Sequence, residues 1–258
     1  MLRFRSLASG SSGNATLLEA REGHARPTRV LIDCGLGPRQ LAQRLAQAGV
    51  ALEEIDAVFI THEHGDHVGC ALALSARHGI PLWMSAGTAQ AVADVRHPAC
   101  IELAADGATI SIGHLQITPF AVPHDAREPL QLRASDGART LGIATDLGHA
   151  SADALAQLAG CHALVLESNH DAELLAQSSY PDFLKRRVGG PLGHLSNDQA
   201  AQALGVLRHP QLSTVVAAHL SERNNRPALV QQGFAQVLGC GPHEVLVSSR
   251  QGLDWLTV

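Results

Sequence analysis

Apolar positions in this chain fall in short runs separated by turn residues. Runs at 3–8, 14–20, 29–33, 56–61, 81–85, 109–112, 115–122, 130–134, 140–145, 163–168, 213–218, 244–249 and 253–257 read as strands. Helical spacing lies between many of them. Residues 38–46 carry apolar side chains three and four apart, with Pro38 in the first turn and Gly49 beyond the end. Similar patterns occupy about 67–78, 87–95, 151–159, 181–187, 197–208 and 226–238. Strands predominate at the start, and a second strand–helix alternation runs from about 140 to the end. This order predicts an α/β layered domain spanning 1–258. It would have two β-rich halves meeting near 125–140, packed sheet on sheet with helices outside. A doubly wound nucleotide fold would need a glycine fingerprint between its first strand and a helix. Here Ser9-Gly10-Ser11-Ser12-Gly13-Asn14 joins two strands instead.

Composition narrows the class. The 258 residues are 45% hydrophobic and 17% charged, an ordinary soluble composition with length enough for a core. No run of 18 apolar residues predicts a membrane span, and the N-terminus lacks the apolar stretch of a secretory signal. A net charge of −5 argues against a generally basic nucleic-acid coat, though not against a local basic groove. Lys185 is the single lysine, so phosphate contacts would be mostly guanidinium contacts. Lys185-Arg186-Arg187 reads first as a solvated helix face and second as a DNA contact. Aromatics make up only 3%, leaving few platforms on which bases could stack. The five cysteines, at 34, 70, 100, 161 and 240, form no CxxC pair, so neither a disulfide framework nor a thiolate zinc site is expected. A reducing cytoplasm is the simplest setting, with Cys34 and Cys70 as buried, inert thiols.

The chemistry concentrates after strand 56–61, which runs into His62-Glu63-His64-Gly65-Asp66-His67. In extended backbone, side chains two apart point the same way, so His62 and His64 can grip one cation. Asp66 and His67 follow as the chain turns into a helix, with Gly65 permitting the turn. Imidazole and carboxylate suit Zn²⁺, Mn²⁺ or Fe²⁺. With 15 His in 258 residues, chance yields this pattern roughly 0.0025 times per chain of this length. Elsewhere, other apolar strands also end in metal-competent residues: Asp33, His124, Asp146 and His219.

His62-x-His64-x-Asp66-His67 after an apolar strand resembles the signature of the metallo-β-lactamase superfamily, and the four strand-end residues follow that family's order along nearly the whole chain. The resemblance implies a four-layer αββα sandwich, two mixed sheets with helices outside, and two divalent metal ions at one edge. By the same resemblance, one ion would have His62, His64 and His124, the other Asp66, His67 and His219, with Asp146 bridging. Asp33 would lie behind the ligands and orient them.

Further segments resemble the YycJ/VicX-like branch of that superfamily: residues 6–14, 167–171, 193–197 and 219–227. That branch is associated with metal-dependent DNA exonuclease activity of 5′→3′ polarity and with DNA repair. It implies a phosphodiesterase acting on DNA or another phosphodiester through a metal-bridging hydroxide. Asp66 would orient or deprotonate the nucleophile, and His194 would be the acid for the leaving oxygen. Ser9, Ser11, Asn14, Asn169, His170, Ser196, Asn197, Ser221 and Asn225 are the candidate substrate-binding residues, because Gly/Ser/Asn loops offer donors to phosphate oxygens. Ser9–Asn14 serves equally well as a tight hairpin turn, Ser196 as a helix N-cap, and Asn225 as a cap for the last helix. The alternative function is hydrolysis of a thioester, lactone or β-lactam on the same metal site. Such a pocket would be apolar at its mouth, whereas these loops are polar.

Overall fold

The computed structural model describes residues 1–93 and 99–258. Two seven-stranded sheets form its centre. The first contains β1 (Leu2–Ala8), β2 (Ala15–Ala20), β3 (Thr28–Ile32), β4 (Ala57–Phe59), β5 (Leu82–Met84) and β6 (Ile101–Leu103) in sequential order. The last strand, β14 (Leu256–Thr257), is added beside β1. The second contains β7 (Ile110–Ile112), β8 (Leu115–Ala121), β9 (Leu130–Ser135), β10 (Thr140–Ala144), β11 (Ala163–Glu167), β12 (Thr214–Ala218) and β13 (Leu246–Val247). Both sheets are mixed. β3 to β6 run parallel after an antiparallel start, and β10 to β13 run parallel after the antiparallel β7–β10.

Alternation along the strands builds the layers. Leu18 and Val30 point to the space between the sheets, where they meet Leu132, Leu141 and Val216. Their neighbours Leu17 and Leu31 point the other way, onto α1 (Pro38–Gln47) and α3 (Ala71–His78) through Leu41, Leu45 and Leu74. On the far side, Leu164, Leu166 and Ala217 pack under α5 (Ala152–Leu158), α8 (Asn197–Leu207) and α9 (Pro227–Leu238). Three apolar layers between four structural ones make the αββα sandwich. No described helix is long and apolar enough to cross a membrane.

Several elements differ from expectation. The chain changes sheet between β6 and β7, at 104–109, earlier than the 125–140 expected, because the β7–β8–β9 meander joins the second sheet. β6 was not expected: Glu102 and Leu103 are exposed, so its three residues lack the apolar pattern of a buried strand. The expected helix 67–78 is two: α2 (Gly65–Val68) and α3, broken at Gly69, whose φ is +40°. Expected helix 87–95 appears as α4 (Ala86–Val92); residues 94 and 95, like His97, lie outside the described residues. A short α6 (Ala172–Gln177), capped by Asp171, follows β11. α7 (Asp182–Val188) completes the set.

Candidate metal centre

Among the described residues, three non-glycine residues have positive φ: Asp33 (59°), Asp146 (60°) and His219 (55°). Each stands within two residues of the C-terminal end of its strand, β3, β10 or β12. A left-handed residue there turns the chain off the sheet and throws its side chain over the edge. The conformation costs roughly 1–2 kcal/mol for an L-residue, and such outliers gather where function over-determines the backbone. Neighbouring groups hold His219 in place: its N–H donates to Ser9 Oγ at 2.8 Å, and its C=O accepts from Asn169 Nδ2 at 2.9 Å.

The HxHxDH segment lies beyond β4, which ends at Phe59, two residues short of the expected strand end. Gly65 shows no positive φ, and a Cβ there would touch nothing within 4 Å, so the turn does not depend on it. Gly35 is the demanding position. A Cβ at Gly35 would fall 1.7 Å from Asp66 O, so only glycine lets the loop after β3 lie against α2. Cys34 N–H donates to His67 O at 2.7 Å in the same contact. Cys34 and Cys70 are buried with their sulfurs 3.5 Å apart; the hydrogen bond shared with Cys70 and burial push the Cys34 thiol well up.

These elements bring seven expected side chains together. His62 Nε2 lies 3.0 Å from His64 Nδ1, which lies 3.3 Å from His124 Nε2. With one N–H per neutral ring, His64 Nδ1 can donate to only one of these two nitrogens at a time, so the three cannot all be satisfied by one another. Asp66 Oδ2 lies 3.6 Å from both His67 Nε2 and His219 Nε2. Asp146 stands between the groups, with Oδ2 3.2 Å from His67 Nε2, and Oδ1 2.9 Å from His219 Nδ1 and 3.9 Å from His124 Nε2. Asp146 Oδ2 and both His219 ring nitrogens are buried without a properly aligned hydrogen bond. Groups so placed are oriented for a ligand rather than for each other. The sets His62–His64–His124 and Asp66–His67–His219 each offer ligand atoms within 4.8 Å of one another.

A shell of partners fixes which nitrogen each imidazole presents. Asp33 Oδ2 accepts from His67 Nδ1–H at 2.7 Å, leaving Nε2 for the site. Thr61 Oγ1 links Asp33 to His62 Nδ1, each at 3.0 Å. Gly193 O accepts from His124 Nδ1–H at 3.0 Å. This is the usual way proteins orient metal-binding histidines.

The electrostatics have the same sense. Burial keeps His62 well below, and His124 below, the ordinary imidazole range, so both are neutral donors. Burial opposes charging of His67 too, but Asp146 and Asp33 overcome it and raise it to about 10. His219 is raised against its burial by Asp146 and Asp66. Burial resists ionisation of Asp146, yet His219 and His67 hold its carboxyl well below the usual range. The carboxylates thus demand positive charge that the imidazoles supply only by binding protons. A divalent cation fits that demand and the donor chemistry of N and O.

Glu167 was not singled out from the sequence, though it ends the otherwise apolar run Ala163-Leu164-Val165-Leu166. It is fully buried, and its Oε1 lies 2.8 Å from His194 Nδ1. Oε2 accepts from Leu147 N–H at 2.8 Å and Leu195 N–H at 3.2 Å. Burial opposes its ionisation, but His194 carries its pKa down to about 2, and His194 rises against its own burial in return. His194 Nδ1 is also 3.5 Å from Asp146 Oδ1, which places the imidazole at the rim of the ligand cluster.

The expected substrate-binding residues divide. Asn14 touches the cluster, its Nδ2 donating to Asp66 Oδ2 at 3.2 Å and lying 3.1 Å from His67 Nε2. Ser9 and Asn169 brace His219, as described. Asn225, Asn197 and Ser168 form a buried amide knot: Asn225 Nδ2 donates to Ser168 O, Asn169 O and Asn197 Oδ1 at 2.8–2.9 Å. Ser196 caps α8, and Ser221 Oγ accepts from Asn224 N–H. His170 is buried and Ser11 is exposed in the β1–β2 turn. Most of these polar residues therefore hold the ligand-bearing loops to one another.

Known proteins resemble this chain in sequence and in fold. A family model described as a β-lactamase superfamily domain matches residues 28–219. The exodeoxyribonuclease YycJ of Bacillus anthracis is 30% identical over 240 residues, 92% of this chain and 89% of its own. The exodeoxyribonuclease WalJ of Streptococcus pneumoniae is 31% identical over 228 residues, 86% of this chain and 83% of its own. Among solved structures, Zn²⁺-bound PqqB from Methylobacterium extorquens superposes with a TM-score of 0.74 at 16% identity, covering 99% of this chain and 100% of that one. That last likeness speaks for the fold alone.

Proposed function

Since the chain belongs to the β-lactamase superfamily and, within it, to the YycJ-like branch, we propose that it is a metal-dependent deoxyribonuclease, an exonuclease of the 5′→3′ direction that the resemblance implies. Residues 1–258 would act as one αββα domain. The observation that carries the proposal is the convergence of two donor triads on the shared carboxylate of Asp146, with His194 anchored to Glu167 at their rim.

His62, His64 and His124 would hold one divalent ion, and Asp66, His67 and His219 a second, with Asp146 between them. Such ions supply Lewis acidity, a nucleophile at neutral pH, and neutralisation of the phosphate charge. The chain's own groups do the rest. Asp66, about a quarter exposed, has an oxygen from which to orient the attacking water and take its proton. Glu167 holds His194 by Nδ1, so Nε2 is the atom left to hand a proton to the departing oxygen. Asn14 fixes Asp66 from the side of the β1–β2 turn.

Incubation with 5′-phosphorylated duplex and single-stranded DNA in Zn²⁺, Mn²⁺ or Fe²⁺ tests the reading. The expected products are mononucleotides released from the 5′ end. A folded protein inert towards DNA and bis-p-nitrophenyl phosphate, but turning over a lactone or thioester, would transfer the same site to the carboxylic class.

A further inference from the structure

Aromatic residues are few, and those of one type are nearly all inside. Phe4, Phe59, Phe120 and Phe234 are at most 1% exposed, whereas Phe183 is 66% exposed. It stands on α7, a seven-residue helix with no buried residue. On a helix, positions three and four apart share a face, so Phe183, Arg186 and Arg187 form one exposed stripe. Leu184, Lys185 and Val188 face inward and are half-buried. Lys185, the single lysine, is occupied: its Nζ donates to Ala176 O at 2.6 Å. Arg186 makes no ion pair among the described residues, although Asp182 is one turn away.

The stripe is tied to the metal centre. Arg187 Nε pairs with Asp125 Oδ2 at 2.5 Å, and Asp125 Oδ1 lies 3.4 Å from His124 Nε2. Val188 O accepts from His194 N–H at 2.8 Å. At 1.5 Å of rise per residue, Phe183 lies about 6 Å further along the helix than Arg187. An aromatic face with guanidinium groups beside it binds single strands by stacking a base and pairing with phosphates. Charge complementarity supports that occupant: the protein is acidic overall, yet this face presents an unsheltered ring beside Arg186, which has no ion pair among the described residues, with Arg187 held next to it by Asp125.

We propose that the Phe183–Arg186–Arg187 stripe is the platform for a single-stranded segment of the DNA next to the cleaved end, Phe183 stacking a base and Arg186 taking a phosphate, with Arg187 held beside them by Asp125. The proposal rests on the nuclease reading and deepens it. Affinity of the full-length protein for a fluorescein-labelled single-stranded oligonucleotide, read by anisotropy without added divalent metal, tests it apart from catalysis. F183A should weaken binding about ten-fold, within the range for one stacked base. R186A should weaken it too and reduce the slope of log K against log salt by about 0.7, one phosphate contact on a single strand. R77A, on α3 against the other sheet, removes the same charge and serves as control. Wild-type affinity in both F183A and R186A, or an equal loss in R77A, overturns the platform while leaving the nuclease reading intact. A wild-type protein that hydrolyses bis-p-nitrophenyl phosphate but neither binds nor cuts DNA removes the nuclease reading and the platform with it.

Discussion

Glu167→Gln isolates the part of the site that the sequence alone did not expose. The substitution keeps size and shape in a fully buried position. It changes a carboxylate that accepts from His194 Nδ1–H at 2.8 Å, and from Leu147 N–H and Leu195 N–H. A carboxamide has one acceptor oxygen for three donors, and its own N–H groups then face a donor. If the amide oxygen keeps the two backbone bonds, His194 loses its anionic partner. A hydrogen bond to a charged group is worth about 1.5–3 kcal/mol, so a proton donor held and charged by it should slow by roughly 10- to 150-fold. The assay compares two substrates in kcat: a DNA oligonucleotide, whose leaving oxygen needs a proton, and a p-nitrophenyl phosphodiester, whose leaving group does not. The loss should be large on the first and small on the second. His194→Ala should show the same pattern more strongly, about 10²–10⁴-fold on DNA, with metal content retained. Equal loss on both substrates would refute proton donation and make His194 a phosphate contact. Loss of metal would make it a ligand, and the assignment of His219 would then have to change.

Three more perturbations test the frame around that dyad. Asp146→Ala should lower occupancy of both ions and abolish turnover, since its two oxygens face the two donor groups; elemental analysis showing loss of a single ion would refute the shared role. Asp33→Asn keeps a residue that tolerates the left-handed backbone but removes the carboxylate from His67, so metal affinity by competitive chelation should fall roughly 10- to 100-fold. Gly35→Ala forces a Cβ against Asp66 O and should lower thermal stability by more than about 3 kcal/mol. Gly37→Ala, with nothing within 4 Å, should change it by less than about 1 kcal/mol.

What the sequence disclosed depended on how local each signal was. HxHxDH declares itself because four donors sit within six residues, and apolar runs such as 163–166 declare strands because burial on both faces leaves no polar position until the strand end. The outer edge strand β6 escaped because an edge is half exposed and its pattern is neither alternating nor apolar. The break at Gly69 escaped because its cause, close approach of Cys34 and Gly35, is 34 residues away in the chain. The same distance hid the role of the Ser/Asn loops. Ser9 and His219 are 210 residues apart, and nothing in either segment says that one hydroxyl braces the other backbone. Gly/Ser/Asn loops suggest phosphate binding because their donors are numerous; here most of those donors are already satisfied by neighbouring loops.

That reuse of polar groups explains how the edge of the sandwich stays ordered while carrying so much unfavourable structure. Three left-handed residues, a crowd of imidazoles and several buried carboxylates meet where parallel strands from both sheets end. Each is costly alone: about 1–2 kcal/mol per left-handed residue, and more for a buried charge without a partner. The amide knot of Asn197 and Asn225, the Ser9 and Asn169 braces on His219, and the Asp33–Thr61 link behind His62 and His67 meet these costs with hydrogen bonds beside the ligands. Their atoms are thereby spent on the protein and withheld from substrate. On the nuclease reading, recognition of the DNA would then come from outside the ring of loops, from groups still free to bind. α7, with no buried residue, is such an element: Asp125 ties its Arg187 towards the ligand cluster, Arg186 points outward without an ion pair among the described residues, and an acidic protein with four of its five phenylalanines sealed inside places the fifth there.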